Sequence, residues 1–226
     1  MWVAEVKGAI KRVLPTRILS HLRACRDLGA AGRARYVALQ LRRSDPVRGW
    51  DAGDRWSAVR SVLFVCRGNI IRSPMAAALL RRELSGRRRT AIAVRSAGLR
   101  AEPGRRADPR AVETARHFGI SLQDHRAQPL TAELVRDADL ILVMDRLNHA
   151  ELRGRFPEAG DRMLMLGALL QPGRRRPVEV DDPCDGSGTD IYRCYRLLQS
   201  SIERLACRLG PSTGVAGEAR ERRDLQ

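Results

Sequence analysis

The sequence predicts an α/β fold, a four-stranded parallel sheet with helices on both faces. Along residues 61–209, short apolar runs of strand length alternate with longer segments whose apolar residues recur at helical spacing. The 226 residues are 43% hydrophobic, which is enough to bury one substantial core. Because only three Phe, three Tyr and three Trp occur, we expect that core to be mainly aliphatic.

The first predicted strand covers about residues 61–65, where Val62, Leu63 and Phe64 form an apolar run. A helix is predicted over 73–85, because Pro74 suits a first helical turn and an Ala- and Leu-rich segment follows it. The other predicted elements, in chain order, are a strand at 91–95, helices at 108–118 and 131–136, a strand at 139–144, a helix at 146–154, a strand at 162–166 and a helix at 189–208. Helical crossovers make the strands parallel, so their carboxyl ends meet at one edge of the sheet.

Residues 1–60 precede this pattern and are predicted to form a basic, helical N-terminal extension. They contain thirteen basic and five acidic residues, a net charge of +8. Apolar residues recur at helical spacing on both sides of Pro15, a third helix is predicted at about 33–42, and a loop rich in Asp, Gly and Trp at 44–56. Such helices either contact an anionic membrane surface or a partner, or pack on their own domain, and we favour packing. Residues 210–226 are small, polar and charge-balanced, which predicts a disordered tail.

One short segment combines a cysteine with features that bind anions. Cys66 ends the first predicted strand and is followed by a short loop and a helix. Only a thiolate attacks as a nucleophile, and a loop that closes on a helix N-terminus points unpaired backbone N–H groups at one position, which favours an anion there. Gly68 lets the loop backbone approach a ligand closely, and Asn69 tolerates the left-handed conformation that such a loop needs.

Arg72 and Ser73 complete this segment. The guanidinium of Arg72 is planar, matches two phosphoryl oxygens and stays charged at any working pH. Ser73 can donate a hydrogen bond to the cysteine sulfur. The alternative is a buried structural cysteine in a β-turn-α connection, but the apolar strand before Cys66 and the helix after it favour a phosphate cradle.

Further blocks of sequence follow downstream in a defined order. They are Ser96-Ala97-Gly98, Ala107-Asp108-Pro109-Arg110-Ala111-Val112, His125-Arg126-Ala127, the apolar run 139–145 and Asp182-Pro183. Together with residues 61–74, these blocks resemble the low-molecular-weight protein tyrosine phosphatase family over about residues 61–209. The resemblance implies a flavodoxin-like, three-layer fold. Within the family, the pattern looks most like that of bacterial members associated with exopolysaccharide export.

The resemblance implies hydrolysis of phosphotyrosine through a phosphocysteine intermediate, without a cofactor or metal ion. The resemblance assigns Cys66 as the nucleophile of this reaction, Arg72 as the residue that binds the phosphoryl group and Asp182 as the general acid. Pro183 restrains Asp182 toward an extended backbone, and Asp181 is the alternative acid. The implied phosphate-binding residues are Arg67, Gly68, Asn69, Ile70, Ile71 and Ser73, and the implied supporting residues are Ser96, His125 and Asp145. Taken alone, Asp145 could equally cap the helix that follows it.

The chain departs from the family pattern at a few positions. Ile71 stands where many members carry a second cysteine that can form a disulfide with the nucleophile, so that redox switch is expected to be absent. Cys184 stands where an aromatic residue usually lies beside the substrate ring, which leaves recognition of the ring open. Gln128 replaces a common basic residue, so the scaffold there is expected to be connected differently. Arg67 either attracts an acidic peptide at the pocket rim or is simply solvated.

Three other functions share some of these features. Thioredoxin-coupled arsenate reductases resemble the loop but need further redox cysteines, and none lies between Cys66 and Cys184. Protein-arginine phosphatases resemble it too, but carry threonine where this chain has Ile70, the residue expected for tyrosine specificity. A weakly catalytic phosphoprotein-binding scaffold is the third alternative, and the intact Cys66, Arg72 and Asp182 argue against it.

Composition limits location and partners. The five cysteines show no paired spacing and no C-x-x-C, and we find no secretory signal or apolar stretch of about 20 residues, which predicts a cytoplasmic protein. The net charge of +16 comes almost entirely from arginine, which reflects either a compositional bias, which we favour, or attraction to acidic partners. The predicted partners are a phosphotyrosyl protein, for which a bacterial tyrosine kinase is a candidate, and phosphate or another oxyanion in the loop. We do not expect a nucleic-acid partner.

Overall fold

Four parallel strands form the centre of the molecule, in a computed structural model that describes residues 28–41, 46–51, 55–87, 91–172 and 178–210. The strands are β1 (Ser61–Cys66), β2 (Ala93–Gly98), β3 (Leu140–Val143) and β4 (Met163–Met165), in the spatial order β2-β1-β3-β4. All three strand pairs are parallel. The predicted four-stranded parallel sheet is therefore confirmed, and the carboxyl end of β1 lies in its middle.

Helices connect the strands. In chain order they are α1 (Ala30–Leu41), α2 (Pro46–Asp51), α3 (Arg72–Gly86), α4 (Pro109–Arg116), α5 (Ala132–Arg136), α6 (Arg146–Arg155) and α7 (Gly188–Leu209), with 3-10 helices at Pro157–Arg162 and Leu166–Leu170. Every helix predicted within residues 73–208 is present. The predicted loop at 44–56 is wrong in part, because α2 lies inside it. The predicted helices before residue 28 and the predicted tail at 211–226 lie outside the described residues.

The second strand begins and ends later than the sequence predicted. The prediction was 91–95, whereas β2 runs to Gly98 and places Ser96 beside Phe64 and Gly98 beside Cys66. The small residues at 96–98 carry little strand propensity of their own, and pairing of their backbone with β1 makes them a strand. The Ser-Ala-Gly block is thus the carboxyl end of β2, directly next to the phosphate loop.

Apolar side chains fill both faces of the sheet. Val62 and Phe64 of β1 point to a cluster that includes residues of α3, α4 and α7, whereas Leu63 and Val65 point to a cluster that includes residues of α5 and α6. This alternation is the two-residue period of a strand buried on both sides. Helices therefore cover both faces, as predicted.

Helix α7 closes one face of the sheet against α3 and α4. It begins with a capping box, in which Ser187 accepts a hydrogen bond from the backbone of Asp190 and the Asp190 side chain accepts one from the backbone of Ser187. A stripe of buried residues runs along it: Ile191, Tyr195, Leu198, Ile202, Leu205 and Leu209. Among the described helices, α7 included, none combines the length and the apolarity that a membrane span requires.

The described part of the N-terminal extension packs on the domain. Helix α1 lies against α6. In α2 the indole N–H of Trp50 donates to the carbonyl of Asp161 at 3.1 Å, and its ring lies 5.0 Å from that of Trp56. Both rings are buried, at 3% and 7% exposure. For residues 28–56 as far as they are described, packing on the domain is what the structure shows.

Truncating the centre of the α7 stripe tests this packing. Leu198 is 0% exposed, so Leu198→Ala should lower the free energy of unfolding by about 2–5 kcal/mol through lost burial and an unfilled cavity. Urea unfolding of the full chain measures the effect. Ser200→Ala, an exposed position on the same helix, should change it by no more than about 0.5 kcal/mol. Equal effects of the two substitutions would contradict the packing described.

Candidate active site

The phosphate loop, residues 66–72, joins the end of β1 to the start of α3. Its cysteine, Cys66, is 3% exposed. The backbone N–H of Asn69 donates to the Cys66 sulfur at 3.2 Å, and the hydroxyl of Ser73 lies 3.0 Å from the same sulfur. These donors converge on one atom, so the loop is built to hold negative charge on that sulfur or on a group beside it.

Asn69 fixes the shape of this loop. Its φ is +53, a left-handed conformation that asparagine tolerates better than most residues. Its fully buried side chain donates to the Ser73 hydroxyl at 2.8 Å and to the Ser96 hydroxyl at 3.0 Å, and accepts from the backbone of Gln128 at 3.0 Å. Because Asn69 donates to the Ser73 oxygen, the single hydroxyl hydrogen of Ser73 is left to point at an acceptor such as the Cys66 sulfur.

His125 supports the loop from its backbone side. Its Nε2 lies 2.7 Å from the carbonyl oxygen of Asn69. A carbonyl only accepts hydrogen bonds, so Nε2 carries the proton. Burial lowers the pKa of His125, the bond to Asn69 opposes this, and the charges of Arg81 and Arg126 lower it further. The imidazole is therefore held in its neutral form.

The end of β2 leaves no room for a side chain next to the loop. A Cβ placed on Gly98 would lie 2.9 Å from the carbonyl oxygen of Arg67 and 3.0 Å from the nitrogen of Asn69. Gln128 closes the same corner, because its side-chain amide donates to the carbonyl of Ser96 at 2.8 Å. The position where the family often has a basic residue is here part of a neutral hydrogen-bond network.

Arg72 is a buried cation between two carboxylates. It is 2% exposed, and its Nη1 donates to Asp145 at 2.7 Å and to the carbonyl of Val180 at 3.0 Å. Its Nη2 donates to Asp182 at 2.6 Å. Burial alone would lower the pKa of Arg72, but the carboxylates of Asp182 and Asp145 raise it above its usual range. The guanidinium therefore stays charged although water hardly reaches it.

Asp145 and Asp182 reach Arg72 from different parts of the fold. Asp145 follows β3 and also caps α6, since one of its oxygens accepts from the backbone of Asn148 at 2.7 Å while the other contacts Arg72. Asp145 is thus both a partner of Arg72 and the N-cap of α6. Asp182 lies in the loop before α7, with 21% of its side chain exposed, whereas Asp181 is exposed. The contact with Arg72 belongs to Asp182, the acid chosen from the sequence.

Arg110 connects the phosphate loop to the loop that carries Asp182, a role that sequence reasoning missed. Its Nη1 donates to the carbonyl of Gly186 at 2.6 Å, and its Nη2 donates to the carbonyl of Cys184 at 2.9 Å. Arg110 also forms a two-point ion pair with Asp108, whose backbone N–H donates to the carbonyl of Ile70 at 3.0 Å. The Asp-Pro-Arg-Ala block was the available signal, but it did not show what the arginine contacts.

The other predicted phosphate-binding residues lie in the loop with different exposures. Ile70 and Ile71 are 8% and 3% exposed and point into the apolar core, so what they offer an anion is backbone N–H. Arg67 and Gly68 are partly exposed. Cys194, buried near the site, is no rival nucleophile, because burial raises its pKa to about 12 and keeps the thiol protonated.

The arrangement has a definite chemical capacity. A sulfur atom lies at the base of a loop whose N–H groups and guanidinium attract an oxyanion, and a carboxyl group contacts that guanidinium from the partly exposed side. Such a site can hold a phosphoryl group, attack its phosphorus and supply a proton to a leaving group.

Comparison with known proteins gives matches over the same part of the chain. Residues 61–214 match the family described as low molecular weight phosphotyrosine protein phosphatase. The chain is 40% identical over 145 residues to the probable low molecular weight protein-tyrosine-phosphatase EpsP of Ralstonia nicotianae, covering 64% of this chain and 92% of EpsP. It is 36% identical over 149 residues to a protein-arginine-phosphatase of Bacillus subtilis, covering 66% of this chain and 95% of that protein. The crystal structure of the tyrosine phosphatase Wzb from Escherichia coli with sulphate matches with a TM-score of 0.61 and 33% identity, over 67% of this chain and 99% of Wzb.

The lowered pKa of His125 predicts how stability depends on pH. As pH falls below about 6.5, the unfolded chain takes up a proton at this histidine before the folded chain does, so the folded state loses stability. His125→Gln cannot titrate and keeps a donor for Asn69. The stability of wild type relative to His125→Gln should therefore fall with decreasing pH, by at most about 1.4 kcal/mol per pH unit. Urea unfolding of both proteins at several pH values between about 5.5 and 7.5 measures this difference in stability. Stability–pH curves that run parallel for the two proteins would refute the prediction.

Proposed function

The chain belongs to the low molecular weight phosphotyrosine protein phosphatase family, and from that premise we propose that it hydrolyses phosphotyrosine in proteins through a phosphocysteine intermediate. The observation that carries this proposal is the convergence at the end of β1, where the Cys66 sulfur, the N–H of Asn69 and the hydroxyl of Ser73 meet beside the buried guanidinium of Arg72. Each group has the chemistry that one part of the reaction needs.

In the first step the Cys66 thiolate attacks phosphorus in line with the bond to the phenolic oxygen. A sulfur–phosphorus bond forms and the phosphorus–oxygen bond to tyrosine breaks. Arg72 and the backbone N–H groups of residues 67–72 stabilise the negative charge on the equatorial oxygens. Asp182 donates its proton to the phenolic oxygen, which leaves as neutral tyrosine.

In the second step water replaces the cysteine. The Asp182 carboxylate takes a proton from the water as that water attacks phosphorus, the sulfur–phosphorus bond breaks, and inorganic phosphate leaves. The Cys66 sulfur departs as a thiolate, stabilised by the same donors from Asn69 and Ser73 that contact it in the structure. Asp182 is protonated again, so the cycle closes with no net change in the protein.

The contact between Arg72 and Asp182 links binding of the phosphoryl group to release of the acid. Nη2 of Arg72 donates to Asp182 at 2.6 Å, and phosphoryl oxygens need the same donor. A bound phosphoryl group therefore competes with Asp182 for this nitrogen. Asp145 and the carbonyl of Val180 hold Nη1, so the guanidinium stays in place when the acid moves to face the leaving group.

The remaining predicted residues act by positioning. Asn69, Ser96 and His125 hold the loop through the hydrogen bonds described above, and Arg110 anchors the loop that carries Asp182. Gly68, Ile70, Ile71 and Ser73 contribute backbone or hydroxyl groups to the cradle. Arg67 lies at its partly exposed side, where it favours acidic sequence around the phosphorylated residue.

We prefer phosphotyrosine to phosphoarginine as the substrate. A relative from each class matches this chain with similar identity, so overall similarity does not decide. Ile70 does favour tyrosine, because the arginine phosphatases that resemble this chain carry threonine at that position. By the same analogy, the natural substrate is a bacterial tyrosine kinase of polysaccharide export. A cytoplasmic location follows from the need to keep Cys66 reduced.

Residues 61–209 form the phosphatase domain in this proposal, and residues 1–60 are an addition to it. The family match begins at residue 61, the first residue of β1. Helix α1 contacts α6, and α2 contacts the 3-10 segments. A peripheral contact of this extension with an anionic membrane surface stays a hypothesis.

The enzyme assignment is tested by replacing the nucleophile. Cys66→Ser should lower kcat/KM for phosphotyrosyl peptides by about 10³-fold or more, because a hydroxyl is a far weaker nucleophile at neutral pH. Cys207→Ser, at an exposed free cysteine, is the matched control and should keep wild-type turnover. If wild type were no faster than Cys66→Ser, the chain would not be a cysteine-dependent phosphatase. If wild type hydrolysed phosphoarginyl peptides faster than phosphotyrosyl peptides, the substrate would be phosphoarginine.

The role of Asp182 is tested by varying the leaving group. Asp182→Ala should lower kcat by about 10²–10⁴-fold for phosphotyrosine and phenyl phosphate, whose leaving groups need a proton. The loss should be much smaller for an activated nitrophenyl phosphate. Asp181→Ala, at the exposed neighbour, is the control and should leave both rates near wild type. Equal losses for both substrates would show that the general acid is another residue.

A further inference from the structure

A basic cavity, separate from the phosphate loop, lies behind that loop. Its volume is about 270 Å³, and polar surface predominates in its walls. It opens between α3, the end of β2 and the segment that carries His125. Among the described residues that line it none is acidic, and its polar lining includes Arg81, Arg95, Arg126, His125, Ser96 and Gln128.

Backbone carbonyls hold two of these arginines in place. Arg81 donates to the carbonyl of Val94 at 2.6 Å. Arg126 donates to the carbonyls of Gln123 and His125, at 3.2 and 2.9 Å. Carbonyl partners fix a guanidinium in position without neutralising its charge, so both side chains bring a full positive charge to the cavity.

Arg95 adds a third charge at the cavity rim. Its ion pair with Asp137 is long, at 3.7 Å, and the two side chains are 55% and 60% exposed. Pairs of this kind contribute little, because water and salt screen them. Burial is the largest cause of the lowered pKa of His125, and the charges of Arg81 and Arg126 lower it further, which agrees with a positive potential inside the cavity.

We propose that this cavity binds a small oxyanion of the phosphate or sulfate class, at a site separate from the loop at Cys66. Its volume suits one such ion with a few waters. Guanidinium groups bind tetrahedral oxyanions through paired N–H donors, and Ser96 and Gln128 add neutral polar groups to the walls. A bound anion also relieves the repulsion between the arginines.

The site communicates with the phosphate loop through residues that serve both. Ser96 lines the cavity and accepts from the Asn69 side chain at 3.0 Å, and the same amide group donates to Ser73 beside the Cys66 sulfur. His125 lines the cavity and holds the carbonyl of Asn69. An anion in the cavity therefore lies beside groups that also position the loop, and its charge favours protonation of His125.

Backbone N–H NMR titrations with inorganic phosphate and with sulfate, at constant ionic strength, test the proposal. Resonances of cavity residues 95–96 and 121–128 and those of loop residues 67–72 should give two different dissociation constants. Arg81→Gln/Arg126→Gln should weaken the cavity constant by about tenfold or more and leave the loop constant within about twofold. Arg105→Gln/Arg116→Gln removes the same charge outside the cavity and should change neither constant.

The imidazole of His125 gives a second readout that does not depend on activity. Its pKa, followed by NMR of the ring, should rise when phosphate is added to wild type and to the control pair. It should not rise in Arg81→Gln/Arg126→Gln. Should that pair fail to fold, Arg95→Gln replaces it, because its side chain is 55% exposed and its substitution removes only a long, solvent-screened ion pair with Asp137.

Two results would overturn the proposal. In one, cavity and loop resonances follow a single binding curve in every variant, which would mean that the only bound anion sits in the loop at Cys66. In the other, the control pair weakens binding as much as the cavity pair, which would mean diffuse attraction to a basic surface.

Discussion

The buried ion pairs of Arg72 are the interaction on which the site depends. The Arg72 guanidinium is 2% exposed, so carboxylates and carbonyls must replace the water that it has lost. A buried charge without such partners costs about 3–5 kcal/mol of stability. Asp145 from the end of β3, Val180 and Asp182 provide these partners. This requirement brings two distant segments, the end of β3 and the loop before α7, to the carboxyl end of β1, and it places Arg72 and the proposed acid in direct contact.

The phosphate loop, in turn, is held by groups that have few alternatives. Asn69 uses both sides of its amide group, and its left-handed backbone places its carbonyl toward His125. Gly98 presses on the loop with no space for a methyl group. Because the carboxyl ends of parallel strands meet at one edge, β2 can support a loop that β1 begins. The loop is therefore pre-organised both by its own Asn69 and by the neighbouring strand β2.

The arginine-rich composition has a structural use that net charge alone did not indicate. Guanidinium groups on several elements donate to backbone carbonyls, including Arg82 to Phe118, Arg155 to Leu99 and Arg162 to Ala138. Part of the charge of +16 thus serves the fold itself, because these side chains connect elements through hydrogen bonds to backbone carbonyls. The cavity behind the loop is different, because three arginines line one partly open space there.

The sequence by itself determined the order of the elements, the parallel sheet and the loop with Cys66 and Arg72, because these follow from local patterns of apolar residues, glycine and proline. It left the contact of Asp182 with Arg72, the end of β2 at Gly98, helix α2 and the contacts of Arg110 to the tertiary structure. The physical reason is distance along the chain. Asp182 meets Arg72 across 110 positions, and Arg110 reaches Gly186 across 76, so no local pattern encodes either contact. Only the folded chain decides which side chain gains a buried partner.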